Sequence, residues 1–443
     1  MKNFFVGIAV CLLVLNSLKI KAQDDAYRVA LMVPLYLEQV DNEFVNAEPN
    51  NKTLLTKPFS FLQFYEGFMI AADSVAKSRN MQLDLKVYDV DNDVKKAYAA
   101  TVDPWLVTAD LIVGPFYIKP FNVVKMFATN HNIPIVNPIT QRSEIVDNQP
   151  YVIKVKPSSD GQVTHLENLL KNTYHANNVF IIREKNDSDT SIISKINEMA
   201  KRSIDEVSYV SNRHIVQVVK NQQRILRRMK NRYDGINLMT DNVRLNINDL
   251  KRYIDDSTAF ENRVVNINYK RDSLRNVKNY ASVVRNNLFI VYGNDKVFAN
   301  EIVNKITKLT VTYPLTVVML PDWSKFDGLF NENLMKMHAI YFDDNYMDYE
   351  NIRVQSFICK FRNRYNTEPS EYAYQGFDIG WYFLNALRLF DNKMIENLPD
   401  YHIPLLNKQL HFQKKSETSG LENTFWSVYQ FKGYNKVVLD TGY

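Results

Sequence analysis

The sequence predicts an α/β fold of two doubly wound lobes, each a parallel sheet covered by helices on both faces, with a cleft between the lobes. Short apolar strands alternate with helix-length segments from Arg28, and the same alternation begins again near Gly161. The chain has 443 residues and is 46% hydrophobic, which is enough for two domains of ordinary size. Because strands separated by helices connect through right-handed crossovers, the strands within each lobe are expected to be parallel.

The first lobe begins with a short apolar run, Val29–Leu35, which predicts a strand. Phe59–Ser78 carries apolar residues at helical spacing, and Leu83–Asp91 alternates as a strand does. The remaining predicted strands of this lobe lie at 109–115, 133–138 and 151–157, and its other helices at 94–101 and 120–130.

The second lobe repeats the architecture without a repeat at the level of residues. Its predicted strands lie at 178–184, 206–210, 264–270, 287–293, 313–322 and 339–344, with helices at 163–171 and 192–201. Two helices, 351–365 and 370–390, and a closing hairpin of 425–431 with 435–441 complete the chain. We therefore expect lobe 1 to comprise residues 24–157 and 345–395, and lobe 2 to comprise 158–344 and 396–443.

Two segments interrupt this pattern. Residues 213–262 predict a helical insertion in lobe 2, whose basic face either meets an anionic polymer of the envelope or is a solvated face with lysine and arginine stems over apolar surface. Residues 38–57 form a polar insertion in lobe 1, which is expected either to cover the cleft or to serve as a partner surface.

The first 22 residues are typical of a secretory signal, with a basic start, an apolar run from Phe4 to Leu15, and Ala22 at the cleavage position. The alternative is a membrane anchor, but the uncharged stretch ends at Leu18 and is marginal for a span of ~20 residues. We therefore expect an exported protein of the periplasm or cell envelope that has no membrane span after signal removal. Lipid attachment through Cys11 is disfavoured because apolar residues surround it.

Charge and cysteine content indicate no particular partner. Loss of three lysines with the signal lowers the formal net charge from +5 to +2, since 51 basic and 49 acidic residues remain. This balance gives no reason to expect nucleic-acid binding. Only Cys359 remains as a thiol, so no internal disulfide can form and burial must stabilise the fold.

The motifs of common enzymes and metal sites are missing from the sequence. The seven histidines have no ligand spacing and no cysteine pair accompanies them, so no metal and no cofactor are expected. The chain also lacks G-x-S-x-G, P-loop and G-x-G-x-x-G motifs. Acidic clusters at 88–93 and 341–350 are commonplace at strand ends, where Asp stabilises turns and helix starts. These features favour a binding protein over an enzyme.

A ligand is expected beyond the carboxyl ends of the parallel strands, where helix N-termini and backbone groups point outward. The residues that follow the strands are rich in aromatics with a few polar groups, as a small-molecule site requires. The alternative is that they are ordinary strand-end caps, with Phe116 and Trp323 buried. The predicted ligand-binding residues are Pro34, Tyr36, Asp89, Gly114, Pro115, Phe116, Tyr117, Asn137, Thr140, Arg183, Tyr292, Asn294, Asp322, Trp323 and Asp343.

In their order, these motifs resemble those of the type I periplasmic binding proteins, the family of branched-chain amino-acid receptors of ABC transporters. The resemblance rests on RVALMVPL, FYEGFMIAADSV, LKVYDVDND, DLIVGPF, IPIVNPIT, YVIKVKPSSDGQ, NVFIIRE and EPSEYAYQGFDIGWYFLNAL. It covers nearly the whole chain after the signal, apart from the insertion. It implies two lobes joined by three crossovers, near 156–161, near 343–350 and before the closing hairpin, with ligand held by hinge closure.

One loop departs from the amino-acid receptors. Their loop after the VGP-like strand is rich in serine and threonine, which hold the ligand carboxylate, whereas this chain has Phe116-Tyr117-Ile118-Lys119-Pro120. In this respect the sequence is more similar to the domains that accompany LysM modules in Bacteroidetes proteins and to the activators of penicillin-binding proteins. No LysM repeat is present.

The leading hypothesis is an exported, non-enzymatic module of the cell envelope that binds a small-molecule ligand or an envelope protein in the inter-lobe cleft. The alternative is an ABC-transporter substrate-binding protein for an amino acid or another small polar solute. A third hypothesis is a hydrolase that uses Asp343 or Asp344.

Overall fold

The structure of the chain is a computed structural model. The structure describes residues 26–39, 59–172, 178–184, 191–203, 238–240, 243–245, 264–269, 273–282, 286–321, 323, 331–345, 347–432 and 435–439. The predicted signal, most of the 38–57 insertion, and the strand predicted at 206–210 lie outside these residues.

Two compact units make up the described chain. Unit 1 comprises residues up to Lys156 together with Met347–Asn423, and unit 2 comprises Pro157–Tyr346 and the residues from Thr424 onward. Each unit contains one seven-stranded sheet, and helices cover both of its faces. This arrangement confirms the predicted class of two doubly wound, mostly parallel sheets.

The sheet of unit 1 has the strand order β13-β14-β5-β4-β3-β1-β2, and only β13 is antiparallel to its neighbour. Its strands are β1 (Tyr27–Val33), β2 (Leu83–Asp89), β3 (Leu111–Val113), β4 (Ile135–Asn137), β5 (Val152–Lys154), β13 (Phe412–Lys414) and β14 (Leu421–Asn423). Its helices are α1 (Leu62–Arg79), α2 (Val94–Thr101), α3 (Ile118–Asn130), α8 (Ile352–Tyr365), α9 (Glu371–Phe390) and the short α10 (Met394–Asn397).

The sheet of unit 2 has the order β16-β15-β12-β11-β10-β6-β9, in which β15 and β16 form the predicted closing hairpin. Its strands are β6 (Asn178–Arg183), β9 (Val264–Asn268), β10 (Asn287–Tyr292), β11 (Leu315–Leu320), β12 (Ile340–Asp343), β15 (Ser427–Lys432) and β16 (Asn435–Val438). Its helices are α4 (Ser159–Asn172), α5 (191–203), α6 (Lys296–Leu309) and α7 (Asn331–Lys336).

Alternation along β1 shows how each sheet is covered on both faces. Val29, Leu31 and Val33 lie in the core that includes Phe64 of α1, whereas Ala30 and Met32 lie in the core of α2 and α3 on the opposite face. Successive strand residues point to opposite faces, so a strand buried on both sides is apolar throughout. This is why β1 reads as one continuous apolar run.

Helices α1 and α9 pack unusually closely because each has a glycine at the contact. A Cβ on Gly67 would lie 2.0 Å from the carbonyl oxygen of Ala373, and a Cβ on Gly376 would lie 2.0 Å from that of Phe64. Neither position has room for a side chain, so the two helix backbones touch there. The contact joins a helix near the start of the chain to one near its end.

The structure corrects the assignment of residues 396–423 to lobe 2. These residues belong to unit 1, because β14 pairs in parallel with β5 and β13 extends the sheet from there. The helical insertion predicted at 213–262 lies mostly outside the described residues. Its described part is an antiparallel pair of strands, β7 (Leu238–Thr240) and β8 (Val243–Leu245), and not a helix.

Candidate functional site at the carboxyl edge of the first sheet

The turn after β1 is fixed by the carboxylate of Asp89, at the end of the neighbouring strand β2. Oδ1 of Asp89 accepts hydrogen bonds from the backbone N–H of Leu35 at 2.8 Å and of Tyr36 at 3.0 Å, and Oδ2 accepts one from Leu37 at 2.9 Å. Asp89 was predicted to bind ligand. In the structure it holds the loop that precedes the 38–57 insertion.

Lys96 of α2 lies close to three acidic residues at this edge of the sheet. Its Nζ lies 3.0 Å from Asp91, 3.5 Å from Asp89 and 3.7 Å from Glu38. These carboxylates and hydrogen bonds raise the pKa of Lys96, although burial acts in the opposite direction. The sequence prediction of the site did not include Lys96, although Lys96 is the third residue of the predicted helix that follows the acidic end of β2.

Gly114 and Phe116 determine the shape of the loop after β3. Gly114 has a φ of +94°, and a Cβ there would lie 2.1 Å from the carbonyl oxygen of Met32, so only glycine fits. Phe116 is buried, and its ring meets those of Phe61 and Phe64 edge-on at 5.0 and 4.7 Å. Phe116 was predicted to bind ligand, with burial as the alternative, and the structure places its ring in the core.

Tyr117, the next residue, is partly buried and is the N-cap residue of α3, to which its side chain makes no capping hydrogen bond. Its hydroxyl accepts a hydrogen bond from the hydroxyl of Tyr36 at 3.1 Å. Burial raises the pKa of Tyr36, and the bond to Tyr117 adds to the effect. The two tyrosines bring the turns after β1 and β3 together, with phenolic hydroxyls and one partly exposed ring at the sheet edge.

Asn137 joins the turn after β4 to the turn after β3. It is fully buried; its Nδ2 donates to the carbonyl of Pro115 at 3.1 Å, and its Oδ1 accepts from the N–H of Thr140 at 2.9 Å. Thr140 in turn accepts from the N–H of Arg142. Pro34 and Pro115 are buried beside these turns. The predicted residues of unit 1 are thus brought together, but most of their polar groups bind the protein itself.

The predicted residues of unit 2 lie at the carboxyl ends of its strands. Tyr292 is buried, and Trp323 is buried with its indole N–H donating to the carbonyl of Gly293 at 2.9 Å. Arg183 donates to Asn268, whereas Asn294 is exposed.

Asp343 is the last residue of β12, and its carboxylate accepts from the N–H of Asn345 at 3.0 Å, a turn-forming contact. Asp322 lies outside the described residues. Trp323, like Phe116, was predicted to bind ligand with burial as the alternative, and the structure places it in the core.

The described part of the chain has neither a cluster of metal-ligand side chains nor a helix suited to span a bilayer. Within it, His, Cys, Asp and Glu side chains nowhere form a group of three or more able to hold a metal ion. None of the helices in these ranges combines the length and apolar composition that crossing a bilayer requires.

Comparison with known proteins places this geometry in a known class of fold. The model of the family described as "receptor family ligand binding region" matches residues 65–246. No protein of curated function is detectably similar in sequence.

Solved structures extend the likeness to 94% of the chain. An ABC transporter substrate-binding protein from Desulfitobacterium hafniense, in complex with Leu, is similar with a TM-score of 0.52 at 12% identity, over 100% of its own chain. A branched-chain amino acid ABC transporter periplasmic ligand-binding protein from Burkholderia xenovorans LB400 is similar with a TM-score of 0.55 at 8% identity, over 94% of its chain. A candidate branched-chain amino acid ABC transporter from Rhodospirillum rubrum reaches 0.58 at 10% identity, over 100% of its chain.

The chain therefore has the α/β fold of type I periplasmic binding proteins. The Desulfitobacterium and Burkholderia proteins are named as binding proteins and not as enzymes.

Proposed function

We propose that the protein is an exported, non-enzymatic ligand-binding or protein-interaction module of the cell envelope, with its recognition surface at the carboxyl edge of the first sheet. The fold supports a binding role, and the apolar run and basic start of the first 22 residues support export. Carboxylates at this edge serve the protein's own turns, as Asp89 does. A binding surface is a better account of such a site than an acid/base pair.

One observation carries the proposal: the loop after β3 offers one partly exposed aromatic side chain, that of Tyr117, in place of serine and threonine side chains. Phe116 fills the core and Tyr117 holds Tyr36, so Tyr117 is the partly exposed group closest to the start of α3. A ligand here meets the partly exposed side chain of Tyr117 and the positive end of a helix dipole. Such a surface suits a ligand with an apolar or planar part rather than a free amino acid alone.

A second candidate function is that of a substrate-binding protein of an ABC transporter for an amino acid or another small polar solute. The fold likeness to the Desulfitobacterium protein, which was solved with Leu, favours it. The start of α3 also supports it, because the first N–H groups of a helix bind carboxylates well.

Thermal-shift screening followed by calorimetry separates the two candidates. The full chain without residues 1–22 is screened against leucine, isoleucine, valine, polar amino acids and small peptidoglycan fragments. Binding of an amino acid, weakened about tenfold by Tyr117→Ala, supports the transporter candidate and contradicts the first proposal. Binding of a peptidoglycan fragment with the same dependence supports the first proposal.

The matched control for this screen is Tyr98→Ala, because Tyr98 is 64% exposed on α2 and belongs to no turn of the site. It is expected to bind as the unmodified protein does. Phe116→Asp is unsuitable as a probe, because a carboxylate in the buried position of Phe116 would unfold unit 1. A hydrolase that uses Asp343 or Asp344 predicts turnover of envelope substrates that Asp343→Ala abolishes.

A further inference from the structure

Unit 1 contains a second recess, which shares no residue with the carboxyl edge of the sheet. It has a volume of about 1060 Å³ and is lined by the C-terminal half of α1, by α8, by α9 and by residues 401–406; we call it the basic groove. Helix α1 ends at Arg79 and β2 begins at Leu83. The basic groove therefore lies toward the amino edge of the sheet, away from the turns that hold Tyr36 and Tyr117.

The floor of the basic groove is aromatic. Phe377 and Trp381 lie one turn apart on α9, and their rings stack at 6.0 Å with 6° between their planes. Phe357 of α8 packs against Phe377 at 4.9 Å. Phe377 and Trp381 are only partly buried, so part of their ring surface faces the groove. Exposed ring surface in a concave site binds aliphatic chains or planar groups.

The wall formed by residues 401–406 is held in place by side chains of α9. The buried carboxylate of Asp378 accepts hydrogen bonds from the N–H of Leu406 at 2.7 Å and of Asn407 at 2.8 Å. At the other end of the wall, the hydroxyl of Tyr382 donates to the carbonyl of Tyr401 at 2.8 Å. The groove is thus already formed, which lowers the entropic cost of binding.

The rim of the basic groove is positively charged. Asp73 is the one carboxylate among the described lining residues, and Arg364 pairs with it. The other four cations form no ion pair within the described part of the chain, and helices α1 and α8 carry two of them each. These four are Lys77, Arg79, Arg353 and Lys360. Unpaired cations above an aromatic floor are complementary to an anionic group attached to an apolar body.

We propose that the basic groove binds amphipathic anions, in which a phosphate or carboxylate head meets the cations of α1 and α8 and an aliphatic chain or aromatic ring lies on Phe377 and Trp381. The site is independent of the proposed function, because neither its residues nor its chemistry involves the carboxyl edge of the sheet.

Octyl phosphate, used below its aggregation concentration, tests the proposal by calorimetry and by tryptophan fluorescence. Three comparison compounds separate the contributions to binding: octanol has no charged head group, octyltrimethylammonium has a cationic one, and inorganic phosphate has no alkyl chain. We expect octyl phosphate to bind at least about tenfold more tightly than each of the three comparison compounds. Its binding should change the emission of Trp381, and Trp381→Phe should abolish most of that change, since Trp105 does not line the groove and Trp323 and Trp426 are buried.

Lys360→Glu is expected to weaken octyl phosphate about tenfold by reversing one rim charge. Lys95→Glu is the matched control, because Lys95 is exposed on α2 and the change in net charge is the same; it should leave affinity within about twofold. Equal binding of octanol, equal effects of Lys360→Glu and Lys95→Glu, or no binding of octyl phosphate would each overturn the proposal. Binding of an acidic peptide in place of octyl phosphate would also overturn it and indicate a protein partner.

Discussion

Nζ of Lys154 lies 3.0 Å from Oε1 of Glu422, and both side chains are buried. The two residues face each other across β5 and β14, the strands through which the last part of the chain joins the first sheet. Burial lowers the pKa of Lys154 to about 8, while Glu422 acts in the opposite direction. Nζ of Lys415 lies 3.1 Å from the second oxygen of Glu422. The pair links two segments that are distant in sequence.

Removal of Lys154 alone should destabilise unit 1 strongly. Lys154→Met leaves the buried carboxylate of Glu422 without the cation that faces it across the strands, and we expect a loss of about 3 kcal/mol in the free energy of unfolding. In Lys154→Met/Glu422→Leu neither charge of the pair remains, so most of this loss should be recovered. Urea unfolding measures both variants; a double variant no more stable than the single one would contradict this account.

The stability of unit 1 should depend on pH through Asp378. Burial raises the pKa of Asp378 to about 7, although three backbone N–H donors, of Leu406, Asn407 and Lys408, act against the shift. Between about pH 4 and pH 7 the folded state therefore binds more protons than the unfolded state, and the contribution of Asp378 to stability falls as pH rises through that range. Above pH 7 it should level off.

Asp378→Asn does not titrate at this position, so comparing its stability with that of the unmodified protein isolates the contribution of Asp378. The advantage of the unmodified protein over Asp378→Asn in urea unfolding should shrink from pH 4 to pH 7, by up to about 4 kcal/mol. Asp400→Asn removes an exposed carboxylate and serves as the control, with no comparable trend. An advantage that grows with pH over this range would show that hydrogen bonding outweighs burial.

The contact between the backbones of α1 and α9 leaves no room for even one added methyl group. Gly67→Ala and Gly376→Ala each place a methyl group 2.0 Å from a backbone oxygen, which side-chain motion cannot relieve. We expect each to cost about 3 kcal/mol or more, seen as a lowered Tm. The control is Gly161→Ala on α4, whose nearest neighbour at 3.1 Å is a side-chain atom of Trp426, and its loss should be clearly smaller.

Asn137 should be essential to the candidate site without touching ligand. Asn137→Ala removes the donor to the carbonyl of Pro115 and the acceptor for the N–H of Thr140, and we expect a loss of about 2–3 kcal/mol. Thermal unfolding measures the loss, and exposed Asn392→Ala is the control. A variant as stable as the control would mean that these turns hold their shape without the amide.

Much of the fold was predictable because local signals agreed with it. Helix α2 has the bounds that were predicted, since Asp93 caps its start by accepting from the N–H of Lys95. The assignment of residues 396–423 to lobe 2 was wrong because no local signal indicated that they join the first sheet. Leu421–Asn423 is a strand of only three residues, and its position in the sheet depends on pairing with β5. The residues of such a short strand do not indicate which strand it pairs with.

The candidate site was less predictable, because strand ends can be located from sequence but side-chain directions cannot. The sequence shows that an aromatic residue, Phe116, follows Gly114-Pro115. Its burial depends on contacts with Phe61 and Phe64, which lie more than fifty positions earlier in the chain. The basic groove was not predictable either, because α1 and α8 bring their cations together only in the folded unit.

The joined backbones of α1 and α9 also set the order in which the chain can fold as it is synthesised. The sequence of unit 2 from Pro157 to Tyr346 emerges between the two parts of unit 1. Until α9 follows, the faces of Phe64 and Phe68 have no partner helix to cover them. A nascent chain that ends near Tyr346 should therefore expose apolar surface and require a chaperone, while unit 2 lacks only its closing hairpin.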